Sequence, residues 1–311
     1  MTDDSPDRPV PGALPAGQAG PSLAPNAVRR AVALALAEDA AWRDVTTGAL
    51  VPPDQQGRAV IIAKAPGVLA GLAVAEAIFH ALDPSLAFEA AAADGARLSP
   101  GQIVARIAGA LNPTLRGERV ALNFLQRLSG VATATARLVE ALEGLPTRLP
   151  DGQARLLDTR KTTPGLRALE KYAVRVGGGH SHRFDLADGI LIKDNHLAAL
   201  KARGEDIAAA VRLARLGSPH TLRVEVEVTS VDQALEALAA GAEVLLLDNM
   251  DLEDMRRVAG VTRGRALTEA SGGITLENVR AVAETGVDFI SVGAITHSAP
   301  ALDMSLEVVG E

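Results

Sequence analysis

From Arg155 onward the chain alternates short apolar runs with helical patterns, and this rhythm limits the fold more than any other feature. The runs are Arg155–Asp158, Gly189–Ile192, Leu222–Val228, Val244–Leu247, Ala266–Glu269 and Asp288–Val292, with starts roughly 20 to 35 residues apart. Amphipathic stretches such as Val231–Ala240, Leu252–Ala259 and Leu276–Thr285 lie between them. Apolar strands joined through helices predict an α/β fold with a parallel sheet. Six units in one series, with no glycine-rich dinucleotide fingerprint after the first strand, favour a barrel over a doubly wound sheet. Six is short of the usual eight, so the expected architecture is an incomplete parallel α/β barrel.

The preceding sequence has a different character. Residues 1–25 are rich in Pro, Gly, Ala and Asp without periodicity and read as a disordered tail. Asn26 is placed to cap a helix running to about Glu38. Strand-like runs (Arg58–Ala63, Ile103–Ile107) and a helical run (Ala73–Leu82) are cut into short pieces by Pro66-Gly67, Asp94-Gly95 and Pro100-Gly101. Residues 26–128 therefore read as an N-terminal α+β domain, 129–298 as the barrel, and 299–311 as a segment packing back on the first domain. A long helical pattern from Leu115 to Leu142 is expected to break near Ser129-Gly130.

Composition narrows the chemistry. The chain has no cysteine, which excludes disulfides, zinc-thiolate sites and a thiol nucleophile. Seven aromatics among 311 residues cannot build a stacking platform for single-stranded nucleic acid. A net charge of −7 argues against binding nucleic acid or anionic membrane. The most apolar stretch, Ala59–Leu82, contains Lys64, Pro66 and Glu76, so no membrane span is expected. Met1–Val10 lacks the apolar core of a secretory leader, and a cytoplasmic protein is expected.

Polar residues gather at the C-terminal ends of the predicted strands, where parallel barrels assemble their active sites. These ends carry Asp158-Thr159-Arg160-Lys161, Lys193-Asp194-Asn195-His196, Glu225 and Glu227, Asp248-Asn249, Ser271-Gly272-Gly273 and Gly293-Ala294. Helix N-caps would explain any one of them, but hardly all six together. The segment 158–196 holds seven Lys/Arg and five Asp/Glu, making it cationic within an acidic chain. Arg160, Lys161, His182, Arg183 and Lys193 fit a pocket for carboxylates or phosphates, while Arg167 and Lys171 fit a solvated helix face. Ser271-Gly272-Gly273, before a helix expected near Thr275, fits a phosphate site that Gly293-Ala294 could complete. Glu227 and Asp248 on adjacent strands could hold Mg²⁺ partly through water and substrate oxygens, or stabilise a developing sugar cation. Neutralisation by Arg160 or Lys161 remains an alternative, notably for Glu225. The residues alone point to a barrel enzyme acting on a phosphorylated sugar and an anionic co-substrate. Lys193 would also serve imine chemistry.

At these positions the sequence resembles the quinolinate phosphoribosyltransferases. The matching segments are Glu118-Arg119-Val120-Ala121-Leu122-Asn123, Leu128-Ser129-Gly130, Asp158-Thr159-Arg160-Lys161-Thr162-Thr163-Pro164-Gly165 and Gly177-Gly178-Gly179 with His182-Arg183. They continue in Leu191-Ile192-Lys193-Asp194-Asn195-His196, Val224-Glu225-Val226-Glu227, Leu247-Asp248-Asn249, Ser271-Gly272-Gly273 and Val292-Gly293-Ala294 with Thr296-His297-Ser298. The likeness runs from about residue 26 onward. Arg43 stands where the family pattern has glycine.

The resemblance implies a homodimer in which the N-terminal domain of one subunit caps the barrel of the other, with Arg119 entering the neighbouring site. It implies quinolinate among Arg119, Arg160, His182, Arg183 and Lys193. Lys161, Glu227 and Asp248 would carry the catalysis around the ribose and pyrophosphate, with Mg²⁺ at Glu227 and Asp248. Phosphates of phosphoribosyl pyrophosphate would contact Thr159, Lys161, Ser271, Gly272, Gly273, Gly293 and Ala294. The implied reaction gives nicotinate mononucleotide, pyrophosphate and CO₂, a step of de novo NAD biosynthesis. A related transferase acting on a monocarboxylate is the nearest alternative, and it would need fewer cations.

Overall fold

The structure, a computed structural model, describes residues 22–145, 149 and 154–310. The tail expected over residues 1–25 lies outside the described residues as far as residue 21. The described strands are β1 (Gln56–Ala63), β2 (Gly67–Val68), β3 (Ala87–Ala90), β4 (Arg97–Leu98), β5 (Ile103–Ala110) and β6 (Arg155–Leu157). They continue as β7 (Ile190–Ile192), β8 (Val224–Val228), β9 (Val244–Asp248), β10 (Leu267–Ser271), β11 (Phe289–Ser291) and β12 (Met304–Val309). The described residues divide into two compact units, one within 22–136, 161–179 and 294–310, the other within 137–160 and 180–293.

The first unit is built on an antiparallel sheet in the order β12-β1-β5-β3, beside a short β2-β4 pair. β12 pairs with β1 from Arg58↔Val309 to Ala63↔Met304, so the C-terminal segment is an edge strand of this sheet. The first helix, Pro25–Glu38, starts two residues earlier than a cap at Asn26 would give. Ala24 occupies the cap and Pro25 the first turn, where its missing N–H is no loss. The Asn26 side chain instead accepts a hydrogen bond from Arg29.

The long helix is Leu111–Ala141, unbroken over 31 residues. Gly130 does not interrupt it. A Cβ there would sit 2.0 Å from the Pro300 carbonyl oxygen, so this glycine admits the returning chain against the helix. Ser129 is fully buried and bonds the backbone N–H of Ala70 at 3.0 Å. The helix Arg167–Val176 also departs from expectation, because Lys171 on it is completely buried. Glu170 beside it is equally buried and meets Arg127 through Nε at 3.1 Å and Nη2 at 2.7 Å.

The second unit is the parallel sheet β6-β11-β10-β9-β8-β7. All six expected strands are present, with ends displaced by no more than two residues. β6 and β7 are the outer members and are not paired with each other, so the barrel is incomplete, as the sequence predicts. The four residues Val244–Leu247 are all buried, as a strand covered on both faces requires. Helices Ile207–Gly217, Val231–Ala239 and Leu252–Val261 begin at Asp206, Ser230 and Asp251. Each of these side chains accepts a hydrogen bond from a backbone N–H of the first turn.

Candidate active site

Register places the chemistry of the barrel unit on one face. Leu191 of β7 lies opposite Glu225 of β8, Glu225 opposite Val244 of β9, and Val244 opposite Leu267 of β10. Glu269 lies opposite Phe289 of β11, and Phe289 opposite Arg155 of β6. Side chains alternate along each strand, so Glu225, Glu227, Asp248, Glu269, Ser271 and Ser291 share this face.

The segment after β6 carries two of the expected cations. His180 forms a parallel bridge with Leu157 and accepts the Asp158 N–H at 3.0 Å. Asp158, fully buried, takes the His182 N–H at 2.9 Å and the Ser181 hydroxyl at 3.1 Å. The His182 ring then reaches the acidic face, with Nε2 at 3.1 Å from Glu225 Oε2 and 3.6 Å from Glu269 Oε2. Its Nδ1 accepts the Arg183 N–H at 2.7 Å. Burial opposes a charge on His182, but the Glu225 hydrogen bond and the nearby Glu269 outweigh it and leave the imidazole above its ordinary pKa. The Arg183 guanidinium donates to the Gly189 carbonyl at 3.0 Å. Burial first, and then the charge of Arg160, lower its pKa from the usual arginine range, which places the two guanidinium groups within electrostatic reach. A cavity of about 330 Å³ opens beside His182, Arg183 and Glu225. Ile190 and Val244, the first residues of β7 and β9, also line it, so it lies toward the strand starts.

Lys193 directly follows β7 and is ion-paired with Glu227 of β8. Its backbone N–H donates to His196 Nδ1 at 2.9 Å, which gives His196 a capping task on the helix Asp194–Lys201. Glu227 pairs with Lys193 and Glu225 with His182. Asp248 ends β9, half-buried, and accepts from Asn249 Nδ2 at 3.0 Å.

The turn after β10 is shaped for glycine. Gly272 and Gly273 have φ of 89° and 61°, and a Cβ on Gly272 would lie 2.4 Å from Asn249 Oδ1. The helix expected near Thr275 begins only at Val279 and is five residues long. Asn278 accounts for the delay: Oδ1 takes the Thr275 N–H at 2.8 Å and Nδ2 donates to the Gly273 carbonyl at 2.9 Å, closing a turn first. The phosphate expectation therefore rests on the two-glycine turn and not on a helix dipole.

Thr159, Arg160 and Gly293 are half-buried members of the barrel unit, whereas Lys161 and Ala294 belong to the first unit. The Lys161 carbonyl accepts the Thr296 hydroxyl at 2.8 Å. Glu170 holds the stretch that follows, taking the Thr163 N–H at 2.9 Å and its hydroxyl at 2.7 Å. Arg119 lies on the long helix with its side chain 60% exposed, 4.0 Å from Glu118. Sequence reasoning missed Glu269, Glu170 and Arg127. Glu269 alone carried a readable signal, a carboxylate in the middle of an apolar strand. His182, Glu225 and Glu269 bring three donor atoms within 4.8 Å, but the His182–Glu225 hydrogen bond makes this a hydrogen-bonded cluster.

Two family models match the chain: the quinolinate phosphoribosyl transferase N-terminal domain over residues 44–129, and its C-terminal domain over residues 131–307. A probable nicotinate-nucleotide pyrophosphorylase [carboxylating] of Bacillus subtilis is 44% identical over 271 residues, 87% of this chain and 90% of the relative. The chloroplastic nicotinate-nucleotide pyrophosphorylase [carboxylating] of Arabidopsis thaliana is 38% identical over 96% of this chain and 87% of the relative. Among solved structures, NadC from Streptococcus pyogenes is similar with a TM-score of 0.85 and 41% identity, covering 93% of this chain and 99% of that one. These matches span both units of the fold, and the chain belongs to the quinolinate phosphoribosyl transferase family.

Proposed function

We propose that this protein transfers the phosphoribosyl group of phosphoribosyl pyrophosphate to the ring nitrogen of quinolinate, releasing pyrophosphate and CO₂ and leaving nicotinate mononucleotide. The observation that carries the reading is the crowding of cations on an acidic face. Arg160 and Arg183 are near enough for one to depress the other, the Glu225 hydrogen bond and Glu269 raise the His182 pKa against its burial, and Lys193 follows β7, separated from the strand of Glu269 by β8 and β9. Like charges held together in a partly buried site are relieved by a dianion, and quinolinate offers two carboxylates. A monocarboxylate would relieve fewer.

The chemistry asks for fixed charges and no covalent nucleophile. As the bond from C1′ to pyrophosphate breaks, positive charge grows on the ribose, and Glu227 and Asp248 are the carboxylates that would stabilise it. The ring nitrogen bonds to C1′ and becomes cationic. The C–C bond to the adjacent carboxylate then breaks, CO₂ leaves, and the electron pair kept by the ring carbon is stabilised by that cation until it takes a proton. The donors Glu227 and Asp248 are both oxygen ligands on one face of neighbouring strands, a set that fits Mg²⁺ shared with phosphate oxygens. When bound, the ion would neutralise charge on the departing pyrophosphate.

Ser271, Gly272 and Gly273, with Thr159 and Gly293, are the proposed phosphate contacts of the barrel unit. For Lys161, Ala294 and Arg119 the assignment comes from the resemblance, with Arg119 serving a second copy of the chain in a homodimer. An imine role for Lys193 is disfavoured, since its ammonium is engaged by Glu227, whereas imine-forming lysines sit in apolar or cationic surroundings. No helix among the described residues is long and apolar enough to cross a membrane, and a cytoplasmic location is part of the proposal. The test is release of labelled CO₂ from carboxyl-labelled quinolinate by purified protein, dependent on phosphoribosyl pyrophosphate. Absence of release with folded protein and Mg²⁺ would overturn it.

A further inference from the structure

Arg127 on the long helix and Glu170 on the helix Arg167–Val176 form a pair whose grip falls on loop backbone. Their side chains are 23% and 0% exposed. Glu170 Oε1 accepts Arg127 Nη2 at 2.7 Å, Arg127 Nε at 3.1 Å and the Thr163 hydroxyl at 2.7 Å, while Oε2 accepts the Thr163 N–H at 2.9 Å. Arg127 also donates from Nη1 to the Ala299 carbonyl at 2.9 Å and from Nη2 to the Thr296 carbonyl. The Thr296 hydroxyl in turn donates to the Lys161 carbonyl at 2.8 Å. These bonds close a circuit through Arg127, Glu170, Thr163, Lys161 and Thr296, all within the first unit.

The two clasped segments, 161–163 and 294–299, follow β6 and β11, which are neighbours in the parallel sheet. Such strand ends are where a barrel collects its substrate contacts, and each segment opens on a proposed phosphate contact, Lys161 or Ala294. Both of those residues are exposed, whereas Thr296 and Glu170 are fully buried. A pair needed only for packing would be replaceable by apolar side chains at little loss, because burying two charges is costly. Apolar side chains do not bond two loop backbones at once. A lysine does so poorly, since only the guanidinium fork offers five donors in fixed directions.

We propose that Arg127 and Glu170 are positioning residues for the phosphoribosyl substrate: they lock the segments after β6 and β11 to one another, so that Lys161 and Ala294 meet its phosphates in a preset arrangement. The inference rests on the proposed phosphate contacts. Neither Arg127 nor Glu170 touches substrate. Their effect reaches it through the backbone, where a misplacement of about 1 Å is enough to cost up to ~10²-fold in rate. The Thr296–Lys161 bond joins the two segments directly, so the circuit can be opened there without removing either charge.

The experiment measures steady-state kinetics, and calorimetric binding of phosphoribosyl pyrophosphate and of quinolinate separately, for the full-length protein and for Thr296→Val, Arg127→Lys and Glu170→Gln. Thr296→Val stays close in shape and keeps both charges. Its KM for phosphoribosyl pyrophosphate is expected to rise about fivefold or more, with the quinolinate dissociation constant within about twofold of wild type. Arg127→Lys and Glu170→Gln should raise that KM about tenfold or more. Amide exchange over 161–163 and 294–299, followed without substrate, should quicken in all three. Leu36→Ala, which opens a void under the helix Pro25–Glu38, is the control for lost stability: its melting temperature should fall with the KM unchanged. A rise in KM for Leu36→Ala equal to that of the circuit variants would overturn the proposal, as would an unchanged KM in Thr296→Val and Arg127→Lys. Should Arg127→Lys or Glu170→Gln fail to fold, Thr296→Val decides. If wild type binds no phosphoribosyl pyrophosphate, the phosphate reading fails and takes this inference with it, whereas equal binding by wild type and folded variants defeats the inference alone.

Discussion

Lys193 at the end of β7 and Glu227 on β8 form an ion pair across neighbouring strands, with side chains 44% and 10% exposed. The pair joins a proposed ligand of the pyridine to a proposed partner of the ribose and Mg²⁺. Replacing Lys193 with Met removes a cation from the pocket and leaves Glu227 uncompensated. The expected fall in kcat/KM for quinolinate is about 10²-fold or more, or ~3 kcal/mol. The stability loss is smaller, about 1 kcal/mol, because solvent screens the exposed ammonium. Adding Glu227→Gln should recover the melting temperature without recovering quinolinate turnover. Recovery of both would show that Lys193 acts only on Glu227.

Two glycine-to-alanine changes in helices should have opposite signs. At Gly130 the new Cβ falls 2.0 Å from the Pro300 carbonyl oxygen, a backbone atom that cannot step aside cheaply. Gly130→Ala is expected to destabilise by about 1–3 kcal/mol. Gly260, in the helix Leu252–Val261, has nothing within 4 Å, and Gly260→Ala should stabilise by about 0.5–1 kcal/mol. Chemical denaturation of the two variants checks both signs.

The parallel strands were readable because an inside strand is written as a short apolar run, as in Val244–Leu247, and its C-terminal end as a polar switch, as in Asp248-Asn249. Gly130 was not. Glycine inside a helical pattern usually signals a weak point, and only the distant Pro300 reveals that its missing side chain admits another backbone. Lys171 misled for a related reason. Its spacing from Arg167 matches a solvated face, yet the side chain is buried, because burial is decided by what packs against the helix. The carboxylates divided in the same way. Glu227 was legible from its place at a strand end, whereas the importance of Glu269 depends on His182, 87 residues earlier, crossing to meet it.

The turn after β10 offers a test confined to the phosphoribosyl side. Gly272 adopts φ 89° and lies against Asn249, which itself has φ 53°. Gly272→Ala must either move the Asn249 amide or leave the left-handed region, at a cost of about 1–2 kcal/mol for the backbone alone. The expected result is a rise of about tenfold or more in KM for phosphoribosyl pyrophosphate, with the quinolinate dissociation constant unchanged. Equal weakening of both substrates would move the phosphate site away from this turn.

Arg119 tests whether two copies build one site. If it serves the partner's barrel, Arg119→Ala and Lys193→Ala subunits are each inactive alone. Mixed and allowed to exchange, they should regain about a quarter of wild-type activity, because half the dimers are then mixed and each contains one intact site. No recovery, with mixed dimers demonstrated by mass, would place Arg119 outside the shared site.

Glu269 also makes stability depend on pH, and the sign can be fixed in advance. Its carboxyl is raised to about 8 by burial and by Glu225, against about 4.5 for the ordinary group. Between those values the folded protein holds a proton that the unfolded chain has released, so stability falls as pH rises. The contribution is fully present below the ordinary carboxylate range and is lost as pH passes through about 8. One such group bounds the slope at about 1.4 kcal/mol per pH unit, and His182, also raised, adds a slope of the same sign. Glu269→Gln cannot ionise, so its melting temperature should decline less than that of wild type between about pH 5 and pH 8.5. Parallel decline of the two proteins would mean that Glu269 ionises freely in the fold and that another group carries the buried proton.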